Sequence, residues 1–292
     1  MFEIFRRAQN KARRYVFLFF FLTPLFATHG LPLYYYKEAN LNNFGDVLSH
    51  HLIERIVGSP VDVYSPKQHK GQKKLLAIGS IFYFASDGDV IWGSGVNGKT
   101  LSPTDYRFID LDIRAVRGPL SRQFLQEHCR VRCPEVYGDP ALLFPYFFPE
   151  FKKSTNPEYD YLIVPHYTEI GLFSKEQYPN VVFPTDPWEE VVKKIVNSKF
   201  VISSSLHGII VAESFGIPAR MLWISENRHK HIFKYQDYYI GTGRPEFRYA
   251  NTVEEAIALG GERPVQCDLQ KLYEAFPFEF WPHAPFPKPK LN

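Results

Sequence analysis

The chain has 292 residues, 45% hydrophobic and 16% aromatic, and its 34 Lys and Arg against 31 Asp and Glu give a net charge of +3. That is enough chain for one large or two ordinary domains whose cores fold without covalent staples. The basic residues are scattered beyond the N-terminus and do not interleave with aromatics, which excludes a nucleic-acid-binding stripe.

Arg6, Arg7, Lys11, Arg13 and Arg14 come first, ahead of an apolar run over residues 15–26 that Thr23 and Pro24 interrupt. Twelve helical residues reach only about 18 Å, against about 30 Å of bilayer hydrocarbon. The run is too short to span. No small-x-small cleavage site follows it, so it does not read as a signal peptide. Residues 1–30 are either an interfacial anchor on anionic lipid, which implies peripheral membrane contact, or a structural extension.

From residue 31 short apolar runs alternate with amphipathic stretches, the pattern of βαβ units and a parallel sheet. Residues 33–39 read as a strand, followed by the loop Asn42-Asn43-Phe44-Gly45-Asp46 and a helix through Val57. Residues 75–78, 89–92 and 111–116 read as further strands, and Pro119 suits the first turn of the next helix. Pro145, Pro149 and the polar stretch 152–158 mark the expected domain boundary. The predicted units are thus an N-terminal domain over 31–150 and a C-terminal domain over 151–276. Both are α/β, Rossmann-like and doubly wound.

Within the second unit residues 161–164 read as a strand. Asp186 is expected to cap a helix with Pro187 in its first turn. Trp188, Val191, Val192, Ile195 and Val196 fall on one face of that helix. Residues 200–202 are the next strand, 206–215 a helix stopped by Gly216, and 219–223 a strand. The Pro- and aromatic-rich tail 277–292 is expected to lie over the surface without regular structure.

The sharpest local signal is Ser203-Ser204-Ser205-Leu206-His207-Gly208, where a buried strand becomes a helix. Ligands of open α/β sheets bind beyond the carboxyl ends of strands, and a starting helix attracts phosphate or carboxylate. The same residues also serve as ordinary caps and packing groups. Arg114, Arg117 and Arg122 lie near a second strand-to-helix junction, and Arg suits a bidentate grip on an anion. Asp139, in Tyr137-Gly138-Asp139-Pro140, either accepts a proton or shapes a turn. Asn43, Gly45 and Asp46 suit sugar hydroxyls or phosphate, as they suit any loop.

Gly93-Ser94-Gly95-Val96-Asn97-Gly98 satisfies G-x-G-x-x-G, but Pro103 follows where a helix should open, so nicotinamide binding is not expected. There is no P-loop, no nucleophile elbow and no clustered metal triad, and His229 and His231 read as surface. Cys129, Cys133 and Cys267 cannot all pair, complete no zinc pattern, and read as reduced thiols of a cytosolic protein.

Taken together the segments resemble the polysaccharide pyruvyltransferases. The likeness rests on Asn43-Phe44-Gly45-Asp46, Ile91-Trp92-Gly93-Ser94-Gly95, Arg114-Ala115-Val116-Arg117-Gly118-Pro119-Leu120-Ser121, Gly138-Asp139-Pro140-Ala141, Ser204-Ser205-Leu206-His207-Gly208 and Gly216-Ile217-Pro218. It implies two domains facing one active site, as in glycosyltransferases of the B type (GT-B). The implied donor is phosphoenolpyruvate and the implied product a pyruvate ketal on a saccharide acceptor, lipid-linked or polymeric, with no metal or cofactor required. The place of action is then the cytoplasm or the cytoplasmic face of the membrane.

On that resemblance His207 and Asp139 are the expected catalytic pair, with Arg117, Ser204, Ser205, Asn43, Gly45, Asp46 and Arg244 binding substrate. Many relatives carry arginine where this chain has Ser205, so the missing charge is expected from Arg117, Arg220 or Arg244. Two other readings remain on the residues alone: a nucleotide-sugar glycosyltransferase of the same layout, and a non-catalytic saccharide-binding protein.

Overall fold

The computed structural model describes residues 30–37, 42–99, 101–224, 232–286, 289 and 291. Apolar runs that end in Gly or Ser become parallel strands, as buried strands of α/β proteins do. β1 (Leu33–Tyr34), β2 (Leu75–Leu76), β3 (Val90–Trp92) and β4 (Asp112–Ala115) pair in that order. A second parallel sheet joins β5 (Leu162–Val164), β6 (Val201–Ser203), β7 (Ala219–Leu222) and β8 (Tyr249–Ala250) in the same way.

Single parallel bridges widen both sheets: Val63 beside Leu33, Tyr137 beside Val116, and Val181 beside Ile163. In each sheet the second segment therefore lies outside the first strand, and the third lies on that strand's other side. Strand order reverses next to β1 and again next to β5. Such a switch point opens a crevice at the carboxyl ends of the strands.

Alternating side chains divide each sheet between two layers. Leu75, Val90, Trp92 and Ala115 join a large central cluster, whereas Leu76, Ile91, Ile113 and Val116 pack with Phe124 and Leu125. In the second sheet Leu162, Val164, Val201, Ala219 and Met221 enter the same central cluster. Ile163, Ile202, Leu222 and Ala250 face away, against Val253 and Ala256. Helices thus cover both faces of both sheets, an arrangement compatible with the Rossmann-like fold expected from the sequence.

The central layer holds α1 (Phe44–Val57), α4 (Trp188–Val196) and α5 (Leu206–Ser214), with the short α3 (Phe144–Phe147) beside them. α1 buries Phe44, Leu48 and Leu52 at helical spacing and stops at Gly58, whose φ of 67° is left-handed. On the outer faces, α2 (Pro119–His128) starts with Pro119, as expected, and α7 (Val253–Leu259) follows a Thr252 cap. α6 (Ile232–Gly241) leaves the second sheet and packs on α2, and α8 (Leu269–Glu274) packs beside residues 140–143.

Three local expectations need correction. Asp186 does not cap α4: Pro187 takes the cap position, and the Asp186 carboxylate closes a turn onto the Phe183 N–H at 3.1 Å. Pro145 lies not in a connecting loop but in the first turn of α3, where its missing N–H costs nothing. The tail is not merely draped on the surface. It forms a 3-10 turn at Phe278–Phe280, and Trp281 is buried, its ring stacked on Phe276 at 5.4 Å. The anchor expected over residues 1–30 falls, apart from Gly30, outside the described residues. Among those described, no helix is long and apolar enough to cross a membrane.

Candidate active site

The two switch points face each other across a cleft of about 270 Å³. From the first sheet come Tyr36 after β1, Asn43 and Asp46 at the start of α1, and Gly79, Ser80 and Ile81 after β2. From the second come His166 and Tyr167 after β5, and Ser205, Leu206 and His207 where β6 turns into α5. The fold alone thus brings four strand ends to one place.

His207 lines the cleft, and the buried Asp139 lies beside it. His207 Nε2 lies 3.7 Å from Asp139 Oδ2, with side chains 12% and 1% exposed. Neither of these atoms has a hydrogen-bond partner, and both are buried. The other carboxylate oxygen accepts the Ala141 N–H at 3.0 Å, so the turn expected at Asp139 exists and also fixes the carboxylate. The opposite edge of the imidazole lies on Gly45, where a Cβ would come within 2.4 Å of Nδ1. Only glycine allows that approach. The Phe44 N–H is held by the Pro184 carbonyl at 2.8 Å, so the start of α1 cannot retreat from the ring.

The serines divide into two kinds. Ser203 and Ser204 are fully buried. Ser203 Oγ donates to the Val164 carbonyl of β5 (2.7 Å) or the Ser205 carbonyl (2.8 Å) and accepts the Ser205 N–H at 3.0 Å. Ser204 Oγ donates to Glu169 at 2.6 Å and accepts the His166 N–H at 2.9 Å, while Tyr235 donates to the Ser204 carbonyl. Ser204 is therefore a strut behind the cleft wall, its hydroxyl engaged within the protein. Ser205 lines the cleft and caps α5 without a side-chain bond. The first N–H groups of α5 have no acceptor within the helix and carry its positive dipole end.

None of the three arginines expected to supply charge is free to do so. Arg117 is fully buried, its Nε 3.1 Å from Asp237, with further bonds to the Val96 carbonyl (3.0 Å) and Ser80 Oγ (2.5 Å). Its guanidinium lies flat on Gly95 and lines the cleft floor behind Ser80. Arg244 is absent from the cleft and pairs with Glu213 at 2.5 and 2.9 Å. Arg220 is spent on Glu262 and on the carbonyls of Arg248, Gly260 and Gly261. Among the described residues, Lys99 and Lys234 reach the cleft along with Arg117.

Asn43 and Asp46 are brought to the cleft, bonded to each other at 2.8 Å. Sequence reasoning missed Asp237, Lys99 and Lys234, and it missed the aromatic wall of Tyr36, Tyr83 and Phe84. It also saw no metal triad, yet His50, His51 and Glu54 on α1 bring ligand atoms within 4.8 Å of one another. They do not line the cleft. The G-x-G-x-x-G stretch opens no helix, as expected. The three cysteines are free, and burial pushes their thiols up, Cys133 to about 12. His229 and His231 lie outside the described residues.

The sequence model of the polysaccharide pyruvyl transferase family matches residues 43–226, which include Asp139, His207 and most of the cleft. The chain belongs to that family. As a polysaccharide pyruvyl transferase it is similar to the succinoglycan biosynthesis protein ExoV of Rhizobium meliloti (strain 1021), 27% identical over 77% of this chain and 71% of that protein. It is also similar to uncharacterized protein L143 of Acanthamoeba polyphaga mimivirus, 26% identical over 80% of this chain and 83% of that one. The crystal structure of protein KP1_0663 from Klebsiella pneumoniae covers 77% of this chain and 95% of its own, at a TM-score of 0.43 and 12% identity. That likeness is too distant to bear on fold or function.

Proposed function

We propose that the chain moves pyruvate from phosphoenolpyruvate onto a sugar of a polysaccharide, or of its lipid-linked precursor, and leaves it as a ketal. The observation that carries the reading is the His207–Asp139 pair, two buried and otherwise unpartnered atoms 3.7 Å apart at a cleft that also holds a helix N-terminus. Ketal formation needs an acid for the donor methylene and a base for the attacking hydroxyl. Phosphoenolpyruvate brings a carboxylate and a phosphate, which call for N–H groups and cations. The α5 N-terminus, Ser205, Lys99 and Lys234 supply them. Membership of the pyruvyl transferase family supports the transferred group, and the succinoglycan relative supports a sugar polymer as acceptor.

In this mechanism Asp139 holds the imidazole through Nε2–H and stabilises its charged form. The imidazolium gives a proton from Nδ1 to C3 of the donor. C2 becomes electrophilic, a sugar hydroxyl adds to it, and its proton returns to Nδ1. The C2–O bond to phosphate breaks, a second hydroxyl closes the ring, and its proton leaves with the phosphate. The two halves of the molecule then act as in GT-B enzymes, one holding the donor and the other the acceptor. The enzyme works at the cytoplasmic face, where the basic and apolar N-terminal segment rests on anionic lipid.

The test is phosphate release. Purified protein is expected to free inorganic phosphate from phosphoenolpyruvate only when a saccharide is present, with pyruvate recovered in acid-labile form on the sugar. Release of a nucleoside diphosphate from a sugar nucleotide, with none from phosphoenolpyruvate, would overturn the proposal.

A further inference from the structure

The two walls of the cleft differ in chemistry. The second-sheet side offers the α5 N–H groups, Ser205, His166 and Tyr167, whereas the first-sheet side clusters the rings of Tyr36, Tyr83 and Phe84 and also brings Asn43, Asp46, Lys99 and Arg117. Two of these belong to the 3-10 turn Phe82–Phe84, which follows β2 by a few residues. Phe82 is fully buried and pins the turn, while Tyr83 and Phe84 are 49% and 36% exposed. Large rings left wet in a concave site forgo the gain of burial, and such a patch marks a surface for an apolar face.

The patch is built and not loose. The Phe84 ring leans on Tyr34 at 5.2 Å and on Tyr36 at 5.9 Å. Tyr83 stands at 90° to Phe84 with ring centroids 5.3 Å apart, so the two form a rigid corner. Ring faces carry partial negative charge and attract weakly positive C–H groups. A pyranose presents just such a face of C–H bonds, rimmed by hydroxyls. An anion is repelled by the same rings, and by the Asp46 carboxylate that shares the cleft. On the proposed reaction the phosphorylated donor therefore takes the α5 N-terminus with Lys99 and Lys234, and a neutral sugar takes the rings.

Resting on that reading, we infer that Tyr36, Tyr83 and Phe84 form the acceptor subsite, a platform on which the pyranose ring of an uncharged hexose stacks with its hydroxyls turned toward His207. The ring, and not the phenol hydroxyl, provides the grip at Tyr83. Losing one stacking ring is worth about a ten-fold change in affinity.

The experiment measures binding of cellobiose, a neutral hexose disaccharide, to the full chain by saturation-transfer NMR without donor, and then acceptor and donor KM separately. Wild type is expected to bind cellobiose and to ignore glucuronate. Tyr83→Ala and Phe84→Ala are each expected to weaken saccharide binding about ten-fold with the phosphoenolpyruvate KM unmoved. Tyr83→Phe, which keeps the ring, is expected to restore most of the binding lost in Tyr83→Ala. Tyr83 is half exposed, so its variants leave the core intact; a melting curve checks this. Donor-free binding separates the subsite from the reaction: ring-dependent binding upholds it even where no pyruvate is transferred. The inference is overturned if neither cellobiose nor lactose binds, if both Ala variants bind as wild type does, if Tyr83→Phe is as damaging as Tyr83→Ala, or if the donor KM rises in place of the acceptor KM.

Discussion

Buried polar atoms are nearly always bonded, so the gap of 3.7 Å between His207 Nε2 and Asp139 Oδ2 needs a reason. The proposed mechanism supplies one, because a carboxylate that orients a catalytic imidazole can close on it when substrate arrives. His207→Ala is expected to lower kcat by about 10²–10⁴-fold while donor binding, followed by thermal shift, stays near wild type. Gly45→Ala tests the same geometry from the other side. Its Cβ would come within 2.4 Å of Nδ1, and α1 is held in place by the Phe44 N–H bond to Pro184, so the ring must turn off Asp139. Turnover in Gly45→Ala is expected to fall toward that of His207→Ala. A Gly45→Ala enzyme with near-full kcat would remove the imidazole orientation from the mechanism.

At the scale of elements, the bond between α6 and the start of α2 governs the cleft floor. Asp237 of α6 takes the Ser121 N–H at 2.9 Å, the Ser121 hydroxyl at 2.6 Å and the Arg117 guanidinium at 3.0–3.1 Å. All are fully buried. Asp237→Ala leaves a buried cation without its partner and is expected to cost about 3–5 kcal/mol, read as a lower urea midpoint at unchanged slope. Arg117→Lys is expected to recover little of the loss seen in Arg117→Ala, since an ammonium cannot reach Asp237, Val96 and Ser80 together. This network also shows where sequence reading stops. The strands, the Pro119 helix start and the Ser205–His207 junction were legible because each is set by residues within one turn or one strand. Arg117 read as an anion ligand because its partner lies 120 residues away on a helix that no local pattern marked as its neighbour. The partners of Arg244 and Ser204 were not legible for the same reason: burial by distant elements decides what a polar group bonds. The Pro- and aromatic-rich tail misled in a different way. Its rings suited a surface strap, yet one of them, Trp281, seats in the core.

At the scale of the whole molecule, the two sheets share one apolar cluster. The central apolar cluster runs from Leu33 under the first sheet to Trp223 under the second, with α1, α4 and α5 contributing to it together. Elements late in the chain also return to the first sheet: α6 packs on α2, and Trp92 Nε1 of β3 donates to the Leu272 carbonyl of α8 at 2.8 Å. Trp281 lies over Gly30, so closely that any Cβ there would strike the indole. A fragment ending at residue 150 would lose the share of that cluster contributed by α4, α5 and α8, and with it Phe276 and the Leu272 carbonyl on Trp92. Separable domains usually unfold in separate steps, whereas a shared core couples its parts. The full chain is therefore expected to lose its tryptophan fluorescence and its helical circular dichroism in one coincident urea transition. Residues 31–150 expressed alone are expected to bind hydrophobic dye and to unfold without a cooperative step. Two resolved transitions in the full chain, or a cooperative 31–150 fragment, would return the boundary near residue 150 to a true domain border. The cleft would then be a hinge between bodies that open independently, and not a groove held at fixed width by the core beneath it.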